Sequence, residues 1–494
     1  MAFSLYNLTD TPIEASSSSH DVAAFVLHPR KPTTLKLPRF HGRHVNLQNA
    51  VDGAALNQEV KTFRVSLPGH WEKRGASWID LKVAADCPWR VYWFRPAKSM
   101  VVLSKRNMAS YLSELPDTLS LAALVLPGTH DSMAFYGWPI SQCQSRSTPL
   151  STQFLDGVRV LDVRLAAIPI LPPPGPETGG GSPQTLPLPQ FKLVTYHGIY
   201  PEHTPFTTVL SSLHTYLTSP AGARETIVMS LKQEDFTITP PTTFSRLVKE
   251  EIMNSPGGFK DTNEKGERDL GMWYLQNRVP NLGEVRGKVV LFSRFGVNGE
   301  EWEGGWEGLG IHPLHWPNSE KKGFVWHLKG TAIRTHDWYA IPSLLAIPEK
   351  SMLSTLVLKP NMPFPLTFPL TPEPSSNGEG GGNRARVYGP ETLNIAYLSA
   401  ATVPLALPSI VATGWGFPGW KMGFEGVNAR VGRWLMEQLV PDFESFSPIE
   451  SAAAPKSVEN GYGAVKQGRS QYKQGVYMKD SADEKRAAWS SQRN

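Results

Sequence analysis

Val158-Arg-Val-Leu-Asp-Val-Arg-Leu165 is the stretch whose reading decides the fold. As a strand it has two faces: Arg159, Leu161, Val163 and Leu165 on one, Val158, Val160, Asp162 and Arg164 on the other. The second face starts apolar and ends in two opposite charges, which suits neither a solvated sheet nor a dry one. Inside a β/α barrel, it would pack its lower part and present Asp162 and Arg164 inward at the mouth. One reading is a structural ion pair closing that mouth. The other is a guanidinium held by Asp162 and aimed at an anion, since the planar fork of Arg matches phosphate.

Outward from this stretch, compact apolar strands are expected at 121–127, 191–196, 226–232, 288–295, 330–335 and 392–399. Several are nearly continuous in Val, Ile and Leu, as strands of a parallel sheet buried on both faces are. Helices lie between them. One is expected over 205–217, capped by Thr204, with Phe206, Val209, Leu210, Leu213 and Leu217 on one face. Phe424, Val427, Val431 and Leu435 form a similar stripe. The alternation over residues 113–440 predicts a TIM-type (β/α) barrel or a doubly wound sheet. Residues 1–112 instead show short alternating runs divided by turn residues, at 23–27, 34–37, 62–67, 78–83 and 89–94, which predict a small β-sandwich. Pro- and Gly-rich stretches at 169–190 and 360–385 read as flexible insertions, and the polar tail 445–494 as disordered.

The chemistry gathers at strand ends. Leu126-Pro-Gly-Thr-His-Asp-Ser132 sets a histidine beside a carboxylate, and Tyr196-His-Gly198 supplies a second histidine. Glu225-Thr-Ile-Val-Met-Ser-Leu-Lys-Gln-Glu234 ends with Lys232 and Glu234 on one face, and Lys288-Val-Val-Leu-Phe-Ser-Arg-Phe295 ends in Arg294. A lone strand-end histidine is more often structural. Five successive strands ending in His130, Arg164, His197, Lys232 and Arg294 would build a cationic pocket with two histidines, suited to a phosphate ester.

These motifs, in this order, resemble the phosphatidylinositol-specific phospholipases C, over about residues 115–300. Thr335-His-Asp-Trp-Tyr339 resembles the family's inositol-contacting Asp-x-Tyr. The resemblance implies a distorted TIM-type barrel. It implies His130 as base on the inositol 2-hydroxyl and His197, paired with Asp131, as acid on the leaving diacylglycerol oxygen. Arg164, oriented by Asp162, would stabilise the phosphorane, and Lys232, Glu234, Arg294, Asp337 and Tyr339 would form the substrate-binding set. An arginine at 164, where calcium-dependent branches carry acidic ligands, implies the bacterial type with no metal and no other cofactor. The family's last strand carries an Asp that orients the first histidine. Here Val440-Pro-Asp-Phe-Glu-Ser445 offers only Asp442, with no strand before it.

Composition excludes several classes. The net charge of +5 in 494 residues, without a dense Lys/Arg stripe, argues against a nucleic-acid binder. Two cysteines, Cys87 and Cys143, are too few for a disulfide-stapled secreted protein. The N-terminus lacks a basic start and a long apolar run, and no window reaches the roughly 18 apolar residues of a membrane span. An intracellular monomer, cytoplasmic or peripheral on membranes and meeting phospholipid from the water side, is expected. Trp302, Trp306, Trp316, Trp326 and Trp338 could touch a membrane interface, but packing is the commoner role. Two other readings stand beside the lyase. One is a catalytically impaired relative that binds phosphoinositide or a protein partner. The other, a metal-dependent phosphodiesterase barrel, needs more carboxylates near His130 than Asp131 and Asp162.

Overall fold

The computed structural model describes residues 2–17, 23–36, 44–50, 61–68, 78–95, 98–170, 190–235, 238–260, 269–296, 299, 302, 305–328, 331–359, 392–402, 406–417 and 422–439. Asp442, the polar tail, and nearly all of both Pro/Gly-rich insertions lie outside the described residues.

Residues 2–104 form two antiparallel-rich sheets. Their strands are β1 (Ala2–Asn7), β2 (Ile13–Ser17), β3 (Phe25–Leu27), β4 (Pro32–Lys36), β5 (His44–Asn49), β6 (Phe63–Ser66), β7 (Trp78–Leu81), β8 (Trp89–Phe94) and β9 (Ser99–Ser104). The orders are β4-β1-β9-β8-β7 and β3-β2-β5-β6. Alternate residues such as Leu5, Ile13, Val45, Leu47, Val65 and Val91 are fully buried in one shared core. This is the two-faced periodicity a sandwich requires.

The remaining chain is mixed α/β. Its strands are β10 (Gly128–Thr129), β11 (Val160–Ile170), β12 (Gln190–His197), β13 (Tyr200–Pro205), β14 (Thr226–Gln233), β15 (Trp273–Tyr274), β16 (Lys288–Arg294), β17 (Phe324–Leu328), β18 (Thr331–His336), β19 (Leu393–Ala396), β20 (Gly414–Phe417) and β21 (Met422–Glu425). Its helices are α1 (Leu150–Leu155), α2 (Phe206–Leu217), α3 (Pro241–Met253), α4 (Ile347–Leu358), α5 (Pro408–Thr413) and α6 (Val427–Leu439). The main sheet runs β13-β12-β11-β14-β16-β15, with β10 also paired to β11, and β17-β18-β19 form a separate sheet. Among the described residues these two sheets do not close into one ring.

Two cores flank the main sheet. Leu161, Val163 and Leu165 pack with the buried stripe of α2 and with Phe244 and Val248 of α3. The opposite face packs Val228, Val290 and Phe292 against Trp326 and Ile333. That second core is the floor beneath the charged strand ends, as the alternation in β11 requires.

Four expectations are corrected. The apolar run 121–127 is a 3-10 turn over Leu121–Ala123 followed by an extended connection, not a strand. Ser120 accepts the Ala122 amide and bends the chain, and Pro127 has no N–H to give a ladder. β12 runs antiparallel to β11, so the sheet is not wholly parallel. Thr204 does not cap α2; its hydroxyl bonds Glu202 O, and Pro205 takes the cap position. Phe424 belongs to β21, and Leu435 on α6 is 39% exposed, so that stripe is only half used.

Candidate active site

Strand register assembles the charged residues. Arg164 pairs with Lys232, and Lys232 with Arg294, so the three cations stand in one row across β11, β14 and β16. Such a row repels itself unless anions interleave. Glu234 accepts from Arg164 Nη1 at 3.1 Å and from Lys232 Nζ at 2.9 Å. Asp162 lies 3.2 Å from Arg164 Nη2 and 3.9 Å from Arg294 Nη1.

The histidines arrive from two directions. Thr129 pairs with Leu161, so His130 follows beside Asp162. β12 is antiparallel, with Leu165 opposite Thr195, and two further residues bring His197 back level with Val163. Reversal of that strand is what returns the second histidine to Arg164.

Asp131 joins the two. It has φ +44°, a left-handed conformation that aspartate tolerates better than most residues. Its Oδ2 lies 2.9 Å from His130 Nδ1 and 3.2 Å from His197 Nε2, and its Oδ1 lies 2.5 Å from Arg164 Nε. The other ring nitrogens differ. His130 Nε2 faces Arg164 Nη2, a donor, at 2.9 Å, whereas His197 Nδ1 faces Ser141 O, an acceptor, at 2.7 Å. His130 thus meets the Asp131 carboxylate at Nδ1 and the Arg164 donor at Nε2, with Asp162 Oδ2 farther from Nε2 at 3.7 Å, and His197 meets two acceptors. Gln144 Nε2 donates to His130 O at 2.8 Å and fixes the main chain there.

Burial pushes the Asp131 carboxyl up, but the Arg164 guanidinium and His130 outweigh it and hold it well below the usual range. Asp162 is lowered likewise: Arg164 overcomes burial and the neighbouring Asp131 charge. Burial and Arg164 pull the Lys232 ammonium down against the support of Glu234.

Beyond the row, the strand-end rule adds a wall. Asp337 follows β18 and Tyr397 follows β19. Arg294 lies over the Trp316 ring at 4.1 Å, and Trp316 Nε1 donates to Asp337 Oδ2 at 2.8 Å. Tyr397 meets His130 edge to face at 6.2 Å, and its hydroxyl is pushed up by burial. Tyr339 is 41% exposed and donates to Asn318. Trp302, Trp326 and Trp338 are buried packing residues, whereas Trp316 lines the site.

His130, Asp131, Asp162, Arg164, His197, Lys232, Glu234 and Arg294 therefore meet as one group, with Asp337 joined to the row through Trp316, whereas the side chain of Tyr339 contacts Asn318. Ser141, Cys143, Gln144, Glu202 and Tyr397 were not singled out. Only Tyr397, at the end of an expected strand, carried a usable signal. His130, Asp131 and Cys143 each offer a ligand atom within 4.8 Å of the others, a geometry compatible with a cation. Arg164 already supplies positive charge to the same carboxylate. Burial, then the Asp131 charge, pushes the Cys143 thiol up.

No family model matches the chain. It is 27% identical over 213 residues to a 1-phosphatidylinositol phosphodiesterase of Listeria monocytogenes, covering 41% of this chain and 52% of the relative. It is 27% identical over 209 residues to one of Staphylococcus aureus strain Newman, covering 41% and 56%. The chain is thus similar to bacterial enzymes of this type, and the match spans about half of their length. Among solved structures, a pentafluoro-Phe-containing phosphatidylinositol-specific phospholipase C of Staphylococcus aureus aligns at 22% identity and TM-score 0.38, covering 52% of this chain and 74% of that one. The Listeria monocytogenes enzyme aligns at 23% identity and TM-score 0.32, covering 51% and 76%.

Proposed function

We propose that the chain is a metal-independent phosphodiesterase that cleaves phosphatidylinositol-type lipids to diacylglycerol and a cyclic inositol phosphate. Residues 113–440 would form a distorted TIM-type barrel, preceded by the β-sandwich-like domain 1–112. The observation that carries the reading is the unlike surroundings of two histidines on one carboxylate oxygen. His130 donates through Nδ1 to Asp131 and accepts at Nε2, which is the hydrogen-bonding state of a base. His197 has an acceptor beside each nitrogen, Ser141 O at 2.7 Å from Nδ1 and the Asp131 carboxylate at 3.2 Å from Nε2, an arrangement suited to an acid. The similarity to bacterial 1-phosphatidylinositol phosphodiesterases supports the same activity.

The step balances as follows. His130 Nε2 takes the proton of the inositol 2-hydroxyl, whose oxygen attacks phosphorus. The bond from phosphorus to the glyceryl oxygen breaks, and that oxygen takes the Nε2 proton of His197. Arg164 faces the charge that builds on the phosphoryl oxygens, while Asp131 and Asp162 hold its fork in place. Each acid–base partner is worth about a hundred- to ten-thousand-fold in rate. Lys232, Arg294, Asp337 and Tyr339 bind the inositol ring, with Trp316 between Arg294 and Asp337. Glu234 acts mainly by neutralising Arg164 and Lys232.

Arg164 supports metal-free chemistry because it contacts Asp131, Asp162 and Glu234, the carboxylates a divalent cation would need. A lipid surface is the proposed partner. Trp138, Ile140 and Ile199 are exposed apolar side chains on the two loops that follow His130 and His197. Among the described residues no helix is long and apolar enough to cross a membrane. The engagement of both histidines also supports activity over an impaired relative. The test is release of water-soluble inositol phosphate from phosphatidylinositol vesicles in the presence of a calcium chelator. Turnover that needs added calcium, or none on any phosphodiester, contradicts the reading.

A further inference from the structure

Glu202 on β13 is a buried carboxyl that the proposed reaction does not use. Its side chain is wholly enclosed, and Oε2 accepts the Tyr136 amide at 2.7 Å. The Phe135 amide and the Ser141 side chain also favour its charged form, but burial outweighs them and pushes the carboxyl up to about 7. An enclosed carboxyl is costly, and packing alone would be better served by an apolar side chain.

The contact links two pieces of chain that must stay in register. β13 pairs with β12 at His197 and Tyr200, so Glu202 rides on the same hairpin as His197. Tyr136 opens a tight turn in which Ile140 N and Ser141 N both donate to Gly137 O, at 3.1 and 2.8 Å. Gly137 has φ +76°, and a Cβ there would lie 2.5 Å from Ser141 Cβ, so the turn has little freedom. The turn delivers Ser141, 2% exposed, whose carbonyl accepts from His197 Nδ1 at 2.7 Å and whose hydroxyl lies 3.1 Å away. Glu202 therefore fastens the segment that holds the acceptor to the hairpin that holds the donor.

We propose that Glu202 is a positioning residue for His197: by pinning the Tyr136–Ser141 turn to β13, it fixes Ser141 O against Nδ1 and so presents the Nε2 proton to the leaving oxygen. The inference rests on the reading of His197 as general acid. A residue that acts through the acid matters only when the leaving group needs a proton. Alkoxide departure needs one, whereas an aryl oxide of low basicity leaves largely without it.

Two substrates test this, phosphatidylinositol in detergent micelles and the 4-nitrophenyl ester of inositol 1-phosphate, on wild type, Glu202→Leu and Glu202→Gln. Glu202→Leu should lower kcat on the lipid by about a hundredfold and on the aryl ester by less than about fivefold. Glu202→Gln keeps an acceptor for the Tyr136 amide and should stay within about threefold on both. If Glu202→Leu does not fold, Glu202→Asp, too short for the same contact, takes its place with the same expectation. Equal losses on both substrates, or no loss on the lipid, overturn the inference. A wild type inert on both overturns the phosphodiesterase reading instead.

Discussion

Replacing Arg164 with methionine keeps the bulk of the side chain and removes a charge shared by three buried carboxylates. Asp131 and Asp162 expose 1% and 4% of their side chains. Removing one partner of a buried pair costs about 3–5 kcal/mol, because the other charge is left unmatched. Here Asp131 keeps both imidazoles and Asp162 keeps Arg294 at 3.9 Å, so the lower end, about 3 kcal/mol, is expected near pH 8. With a slope of about 3 kcal/mol per molar urea, the unfolding midpoint should fall by about 1 M.

The pH dependence has a definite sign. In the native protein both carboxyls are held below 3.8, so their contribution is fully present above that pH and is lost only as pH falls further. In Arg164→Met, burial, the largest influence on both, pushes them up, and the folded variant loses stability as pH rises through the raised values. The gap between wild type and variant should be smaller near pH 4 than at pH 8, widening as the variant's raised carboxyls ionise. Urea titrations followed by tryptophan fluorescence at both pH values measure it. A gap independent of pH, or larger near pH 4, would refute the electrostatic account of the site.

Two further outcomes test other parts of the structure. Trp316→Leu removes the ring under Arg294 and the donor to Asp337, so KM for the lipid should rise about 3- to 30-fold with kcat nearly unchanged. A fall in kcat alone would contradict a binding role. Gly310 has φ +74°, and a Cβ there would lie 2.2 Å from Leu291 O, so Gly310→Ala should cost at least about 2 kcal/mol. A thermal midpoint within a degree of wild type would show that the β16 edge yields.

Much of the site was legible because it sits on strand ends. β14 and β16 read as continuous apolar runs, and a cation that closes such a run must leave the core at its rim. That logic found Arg164, Lys232 and Arg294, which the register then places in one row. Strand direction was not legible: alternation is the same whichever way a strand runs, so the antiparallel return of β12 went unseen. The run at 121–127 misled because its apolar residues sit in an extended connection, with Val125 75% exposed. Ser141 acts through its main-chain oxygen, which no residue type announces. Glu202 is an ordinary glutamate in sequence, and only the fold buries it beside Tyr136.

The most direct test follows the phosphorus by 31P NMR as wild type, His130→Ala and His197→Ala act on phosphatidylinositol with chelator present. The account predicts that the five-membered cyclic inositol phosphate appears first with wild type. It predicts losses of at least about a hundredfold in either variant. A linear phosphomonoester formed with no cyclic precursor, or either variant turning over at the wild-type rate, would contradict it.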